Sequence, residues 1–274
     1  MNRAGQQAQE TVLVTDGSIQ SGMLQRTVWY HTYRPQPFTP DSISLLLLYD
    51  GQELLTTPFY QRLVAMQDAG LLQPLLIVAV HAGPQRLLEY GTAGVPDYAG
   101  RGVRAGLHHR FVLEELVPEI KQQFGVVAFK SMAVAGFSLG GLASLSMAWS
   151  HPDVFTTAGV FSGSLWWRSK ALDRGYDDDR DRIMHQLVRK GTKKPGLRFY
   201  FTTGSLDETA DRNGNGIIDS IDDTLDLIDE LNAKGYQQGV DIFYKNYEDG
   251  RHDIETWVRL LPEFLLWGWG RSSD

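Results

Sequence analysis

The chain has 274 residues, 42% of them hydrophobic, with 26 Lys and Arg against 33 Asp and Glu, a formal charge of −7, and no cysteine. That length and apolar content can bury a core, which excludes a disordered chain, and the missing cysteines exclude a disulfide framework, a thiolate zinc site and a cysteine nucleophile. The acidic balance without a basic run argues against a nucleic-acid partner, and no apolar run nears the ~20 residues of a membrane span.

The first ten residues, MNRAGQQAQE, hold no apolar stretch of the signal-peptide kind. The reading is a cytoplasmic chain with one domain over 1–274. Residues 11–14 and 27–33 read as β-branched and aromatic strands, with Asp16-Gly17 as a turn. Residues 44–49 (SLLLLY) form an unbroken apolar run closed by Asp50-Gly51, the pattern of a strand buried on both faces. A helix is expected over 57–69, stopped by Gly70, and a second buried strand over 75–80. Residues 81–107 are rich in Gly, Pro and Arg and read as a long functional loop. Residues 108–123 have helical spacing with a bend at Pro118. Further strands are expected at 129–137, 155–161, 197–203 and 240–246, and helices at 140–151, 224–233 and 256–267. This alternation predicts an α/β fold with a mostly parallel sheet and helices on both faces.

Residues 135–141 (AGFSLGG) have the form Gly-x-Ser-x-Gly between a predicted strand and a predicted helix. Such a turn exposes Ser138 at the sheet edge, and side chains at 136 or 140 would collide with the neighbouring elements. The helix starting near Leu139 points free N–H groups at the reacting centre, which makes the Leu139 amide an oxyanion donor. In this chain order the base follows the last strand, and His252 is the histidine found there. The acid follows the penultimate strand, where Asp207 is chosen and Glu208 is the alternate.

Five segments then resemble the putative-esterase branch of the α/β-hydrolases, which takes in enterochelin esterases, feruloyl esterases, S-formylglutathione hydrolases and mycolyltransferases. They are residues 48–52 (LYDGQ), 86–89 (RLLE), 135–141, 162–167 (SGSLWW) and 250–253 (GRHD) with Trp257. Enterochelin esterases carry an N-terminal sandwich domain for which these residues leave no room, a departure that argues against a siderophore substrate. The resemblance implies that Gly51 or Gln52 supplies the second oxyanion N–H, and that Arg86 lines the pocket and meets an anionic or polar substrate group, with Glu89 beside it. It also implies that residues 162–167, with Trp166 and Trp167, form the wall opposite the nucleophile. Plainer alternatives are a surface Arg86–Glu89 ion pair and two core tryptophans.

Residues 207–223 read as an acidic insert. Asp211, Asn213, Asn215, Asp219 and Asp222 fall at positions 1, 3, 5, 9 and 12 of an EF-hand-type calcium loop, with Gly216 at position 6 and the Ile217 carbonyl at position 7. Ile218 gives the apolar anchor implied by a resemblance to dockerin-like loops. Position 12 is Asp where Glu is usual. The alternative is an Asn-Gly turn leading into an acidic helix start.

The sequence therefore predicts a serine esterase acting on a small-molecule ester, needing no cofactor for its chemistry and carrying structural calcium. An acyltransferase on the same residues and a non-catalytic binding protein on a hydrolase scaffold are the rivals. It leaves the substrate and the oligomeric state open.

Overall fold

The computed structural model describes residues 11–271; the leader reading of residues 1–10 lies outside them. The chain begins with an antiparallel pair, β1 (Val12–Ser21) and β2 (Arg26–Pro35). Then follow β3 (Ser44–Tyr49), α1 (Phe59–Asp68), β4 (Leu75–Val80), α2 (Arg86–Glu89), α3 (Ala105–Arg110) and α4 (Val117–Phe124). The second half contains β5 (Met132–Phe137), α5 (Leu139–Ser150), β6 (Thr157–Phe161), α6 (Asp178–Asp181) and α7 (Ile183–Lys190). It closes with β7 (Arg198–Leu206), α8 (Asp219–Ala233), β8 (Ile242–Arg251) and α9 (Ile254–Trp269).

The eight strands form one sheet in the order β1-β2-β4-β3-β5-β6-β7-β8. β2 runs antiparallel to β4, and every pairing from β4 to β8 is parallel. All six residues of β3 and all six of β4 are buried. Their side chains alternate between two cores: Leu45, Leu47 and Tyr49 face one side with Val78 and Val80, while Leu46 and Leu48 face the other with Ile77 and Ala79. A strand can be apolar at every position only when both faces are covered. Here α5 and α8 contribute to the first core and α1 and α9 to the second.

Several expected boundaries move. Asp16-Gly17 is not a turn: β1 runs straight through it, and the chain reverses between Ser21 and Arg26. Gly17 lies under the Tyr30 ring of β2, where a Cβ would come within 2.4 Å of the ring carbons, so this glycine makes room for an aromatic cross-strand neighbour. The actual turn is held by Glu115, whose carboxylate accepts hydrogen bonds from the Ser21 hydroxyl and the Gly22 and Met23 amides. The helix expected over 108–123 is interrupted by a π-helical stretch, Phe111–Leu116, just before Pro118 enters the first turn of α4. The loop expected over 81–107 contains α2 and the start of α3. α8 begins at Asp219, ahead of the expected 224, and β8 extends to Arg251, which puts His252 directly at a strand end. Among the described residues no helix is long and apolar enough to cross a membrane.

Candidate active site

β5, β6, β7 and β8 lie side by side and parallel, so their C-terminal ends open on one edge of the sheet. Ser138 follows β5 and precedes α5, with φ 52° and ψ −119°, a left-handed region that costs a non-glycine residue roughly 1–3 kcal/mol. The flanking glycines permit the turn: a Cβ at Gly136 would lie 2.5 Å from the Gly140 carbonyl carbon, and one at Gly140 would lie 2.6 Å from Asp50 Oδ2. As the first residue of α5, Leu139 has an N–H without an intrahelical partner.

His252 Nε2 lies 2.9 Å from Ser138 Oγ. On the other side of the ring, Nδ1 is 4.0 Å from Asp207 Oδ1. Asp207 Oδ2 accepts the Gly204 N–H at 2.9 Å. Glu208 takes a different role: its Oε1 accepts the Ser220 N–H at 2.6 Å and ties the turn to the start of α8. Ser164 Oγ approaches Ser138 Oγ at 3.4 Å. Burial pushes the His252 imidazole below its ordinary 6.5, Asp207 and Asp253 draw it back up, and Arg86 opposes them. Burial raises the Asp207 carboxyl, against the Gly204 N–H, the Ser162 hydroxyl and the His252 charge. An imidazole below 6.5 is neutral, and able to accept a proton, at pH 7. Ester hydrolysis, followed as kcat/KM against pH, should rise to a plateau through an apparent pKa below 6.5; a limb centred above 7 would contradict this electrostatic picture.

The Asp50-Gly51-Gln52 turn lies beside Ser138. Asp50 has φ 60°, and a Cβ at Gly51 would lie 2.4 Å from the Ala79 carbonyl carbon, so the turn rests against the end of β4. The Gln52 side chain accepts the Ala82 N–H at 2.9 Å. Arg86 grips Asp50 through a two-pronged ion pair, Nε to Oδ1 and Nη2 to Oδ2, each 2.7 Å. Burial raises the Asp50 carboxyl and Arg86 pulls it back. Sequence reasoning did not single out Asp50; its signal was an acidic residue closing an all-apolar strand.

The plainer alternative, a surface Arg86–Glu89 ion pair, does not form. Glu89 is buried and bonded to Arg26 Nε and Nη2, away from the cleft. Arg86 does line the cleft, but its guanidinium is engaged with Asp50. Arg86→Ala should therefore loosen the Asp50 turn and lower kcat by about 10- to 100-fold on neutral and anionic esters alike. A rise in KM confined to anionic esters would assign Arg86 to substrate contact instead. The tryptophans also leave the expected wall. Trp167 is 1% exposed and belongs to the core. Trp166 lines a separate hollow of about 290 Å³ with Tyr98, Arg101 and Arg168. Trp257, whose role the sequence left unassigned, lines the Ser138 cleft. That cleft has a volume of about 430 Å³ and includes Gln52, Arg86, Ser138 and His252. It adjoins a hollow of about 660 Å³ across Asp253 and Ile254.

The other histidines do not meet Ser138. His108, His109 and His185 are buried, and burial pushes each down to about 3. His31 bonds to His81 and Tyr33, and His151 meets His109.

In the acidic insert, the Asp211 carboxylate accepts the amides of Gly214, Asn215 and Gly216, and Gly214 and Gly216 take positive φ. Asp222 Oδ2 meets the side-chain amides of Asn213 and Asn215 at 3.0 and 2.7 Å. Asp219 departs from the ligand pattern: it accepts the Arg212 amide and pairs with the Arg212 guanidinium at 3.2 Å. Among the described residues no three His, Cys, Asp or Glu side chains cluster as a metal site. Asp211, Asn213, Asn215 and Asp222 are thus bonded among themselves and to the loop amides, while Asp219 is committed to Arg212.

The strand order and the strand–serine–helix turn define an α/β-hydrolase fold of the esterase kind. A family model described as putative esterase matches residues 21–267. The chain belongs to that family, whose members are ester-hydrolysing enzymes. Among solved structures, the enterobactin esterase of Shigella flexneri is 20% identical with a TM-score of 0.68, covering 92% of this chain and 58% of that one. The chain thus spans less than two thirds of that relative. An IroE-like serine hydrolase from Shewanella oneidensis is 18% identical, TM-score 0.69, covering 93% of this chain and 78% of that one. The siderophore hydrolase EstB of Aspergillus nidulans is 15% identical, TM-score 0.66, covering 93% of both chains. These likenesses are of fold. No curated protein matches the chain.

Proposed function

We propose that this chain hydrolyses a carboxylic ester through Ser138, His252 and Asp207. The observation that carries the reading is Ser138 Oγ, on a strained turn at the head of α5, within 2.9 Å of His252 Nε2. His252 takes the hydroxyl proton as Oγ attacks the carbonyl carbon. The Leu139 amide and that of Gly51 or Gln52 hold the oxyanion. The protonated His252 then gives its proton to the departing alkoxide, leaving an acyl-enzyme. Water, deprotonated by His252, attacks the acyl carbon and releases the acid and Ser138. Asp207 holds the imidazole with Nε2 free for the serine. The 4.0 Å gap to Nδ1 is wider than a hydrogen bond, and such bonds shorten when substrate closes the site. Glu208 is the weaker choice of acid because its carboxylate is already committed to α8.

The substrate we propose is a small ester of an aromatic acid, by analogy with relatives described as acting on enterobactin and on ferulic acid. Turnover of feruloyl, hydroxybenzoyl, acetyl and thioester substrates, with and without an added alcohol, tests this reading. Free acid as the main product from the aromatic esters supports it. Transfer to the alcohol would make the protein an acyltransferase, and no turnover of any ester would leave a binding protein.

We further propose that the insert takes a structural calcium ion through Asp211, Asn213, Asn215, Asp222 and the Ile217 carbonyl. The Glu208–Ser220 bond would carry the loop's order to Asp207. Calcium at about 100-fold over its dissociation constant should raise the melting temperature by about 5 °C or more. Chelation should lower both melting temperature and turnover. A melting curve indifferent to calcium and to chelator would leave the insert a solvated turn.

A further inference from the structure

We propose that Ser162 and Trp257 form a clamp that positions the acid, the Ser162 hydroxyl bridging the Trp257 indole N–H and the Asp207 carboxylate. The inference rests on the reading of Asp207, His252 and Ser138 given above, and names two positioning residues behind them.

Ser162 is the residue after β6 and has φ 45°, a conformation that a glycine would take without strain. Its backbone N–H donates to Thr202 O at 2.8 Å, which fastens it to β7, the strand that leads to Asp207. Its hydroxyl oxygen is buried and accepts the Trp257 indole N–H at 3.1 Å. The hydroxyl still has its own proton to give, and a buried donor requires an acceptor. No hydrogen bond from that hydroxyl is formed in the structure; the Asp207 carboxylate, which the nearby Ser162 hydroxyl draws down and whose Oδ1 is buried without a partner, is the acceptor we assign to it. Asp207 is correspondingly short of donors: Oδ2 has the Gly204 N–H, while Oδ1 is buried without a formed hydrogen bond and looks toward His252 Nδ1.

Trp257 completes the clamp from the opposite side. Its ring stacks flat on Phe137, the residue before the nucleophile, with centroids 5.3 Å apart and planes 3° from parallel. It also meets the His252 ring edge-on at 4.9 Å and 83°. One side chain therefore packs against the base, abuts the serine turn and reaches the acid through Ser162. The hydroxyl fixes the rotation of the carboxylate, so that Oδ1 is presented to Nδ1, and stabilises its charged form.

Without the hydroxyl the carboxylate becomes more basic and raises the acid–imidazole pair together, so the acid limb of kcat/KM moves to higher pH. Ser162→Ala should lower kcat by about 10-fold with KM within about twofold, and shift that limb upward. Ser162→Gly is the deciding variant. It removes the hydroxyl and relieves the backbone strain, so it should be as slow as Ser162→Ala while at least as stable. Trp257→Phe keeps an aromatic ring against Phe137 but loses the N–H, and should show a smaller change of the same sign. In an Asp207→Asn background the Ser162 substitutions should cost little more, because they act through that carboxylate. A folded Ser162→Gly or Trp257→Phe protein with wild-type kcat and an unmoved limb overturns the clamp. If Asp207→Asn is itself as fast as wild type, the triad reading falls and the clamp with it. If Asp207→Asn is slow while both clamp variants are fast, the clamp alone falls.

Discussion

Ser138→Ala should lower ester hydrolysis by at least ~10³-fold and leave the fold intact. The substitution removes one oxygen. That oxygen contacts His252 Nε2 at 2.9 Å and Ser164 Oγ at 3.4 Å and lines the cleft, so it fills no core volume. Alanine bears the same left-handed backbone as serine, so the strain at φ 52° is unchanged and the melting temperature should stay close to that of the parent. On the proposed mechanism the amides of Leu139 and of Gly51 or Gln52 remain, and their polarisation of a bound carbonyl would account for a small residual rate. Turnover of an activated ester, measured with a melting curve on the same sample, decides it. A folded variant near the parental rate would remove Ser138 from the chemistry.

Asp207→Asn should cost about 10²–10⁴-fold in kcat, because an amide at this position favours the wrong imidazole tautomer. Glu208→Gln should cost little in chemistry. Its loss should fall on stability, by about 1 kcal/mol, since Glu208 serves the first turn of α8 through the Ser220 amide. Kinetics and thermal melts on the two variants give opposite patterns if the assignment holds. A slow Glu208→Gln with a fast Asp207→Asn would transfer the acid role to Glu208.

The buried strands were legible in the sequence because a parallel sheet covered on both faces demands apolar residues at every position, as 44–49 and 75–80 display. β1 was misjudged because Asp-Gly is a strong turn signal, whereas here the unbroken ladder with β2 carries the segment through extended and Gly17 makes room for the Tyr30 ring. The start of α8 was placed late because residues 219–223 resemble both a ligand loop and an acidic first turn, and the Glu208 bond to Ser220 selects the helix there. Ser138 was nominated from the Gly-x-Ser-x-Gly motif, and His252 and Asp207, with Glu208 as the alternate, from their order after the last strands; each follows a strand whose C-terminal end reaches the same edge of the sheet. The ion pairs could not be nominated in this way. Arg86 and Glu89 are near neighbours on one short helix, yet each reaches a partner far away in sequence, Asp50 and Arg26, because the Asp50 turn and the β2 strand come to opposite ends of that helix only in three dimensions. Trp166 and Trp167 were ambiguous for a related reason: two adjacent tryptophans carry no period that separates a core residue from a cleft wall.

The most direct test of the central claim is covalent labelling. A fluorophosphonate probe reacts with a serine only when a neighbouring base activates it and oxyanion donors receive the phosphoryl oxygen. The protein should take up one probe per chain, with the modified peptide containing Ser138, and the labelling rate should fall with pH as His252 becomes protonated. Labelling should be lost in Ser138→Ala and greatly slowed in His252→Ala. A parent protein that remains unlabelled, or is labelled at another residue, would contradict the account.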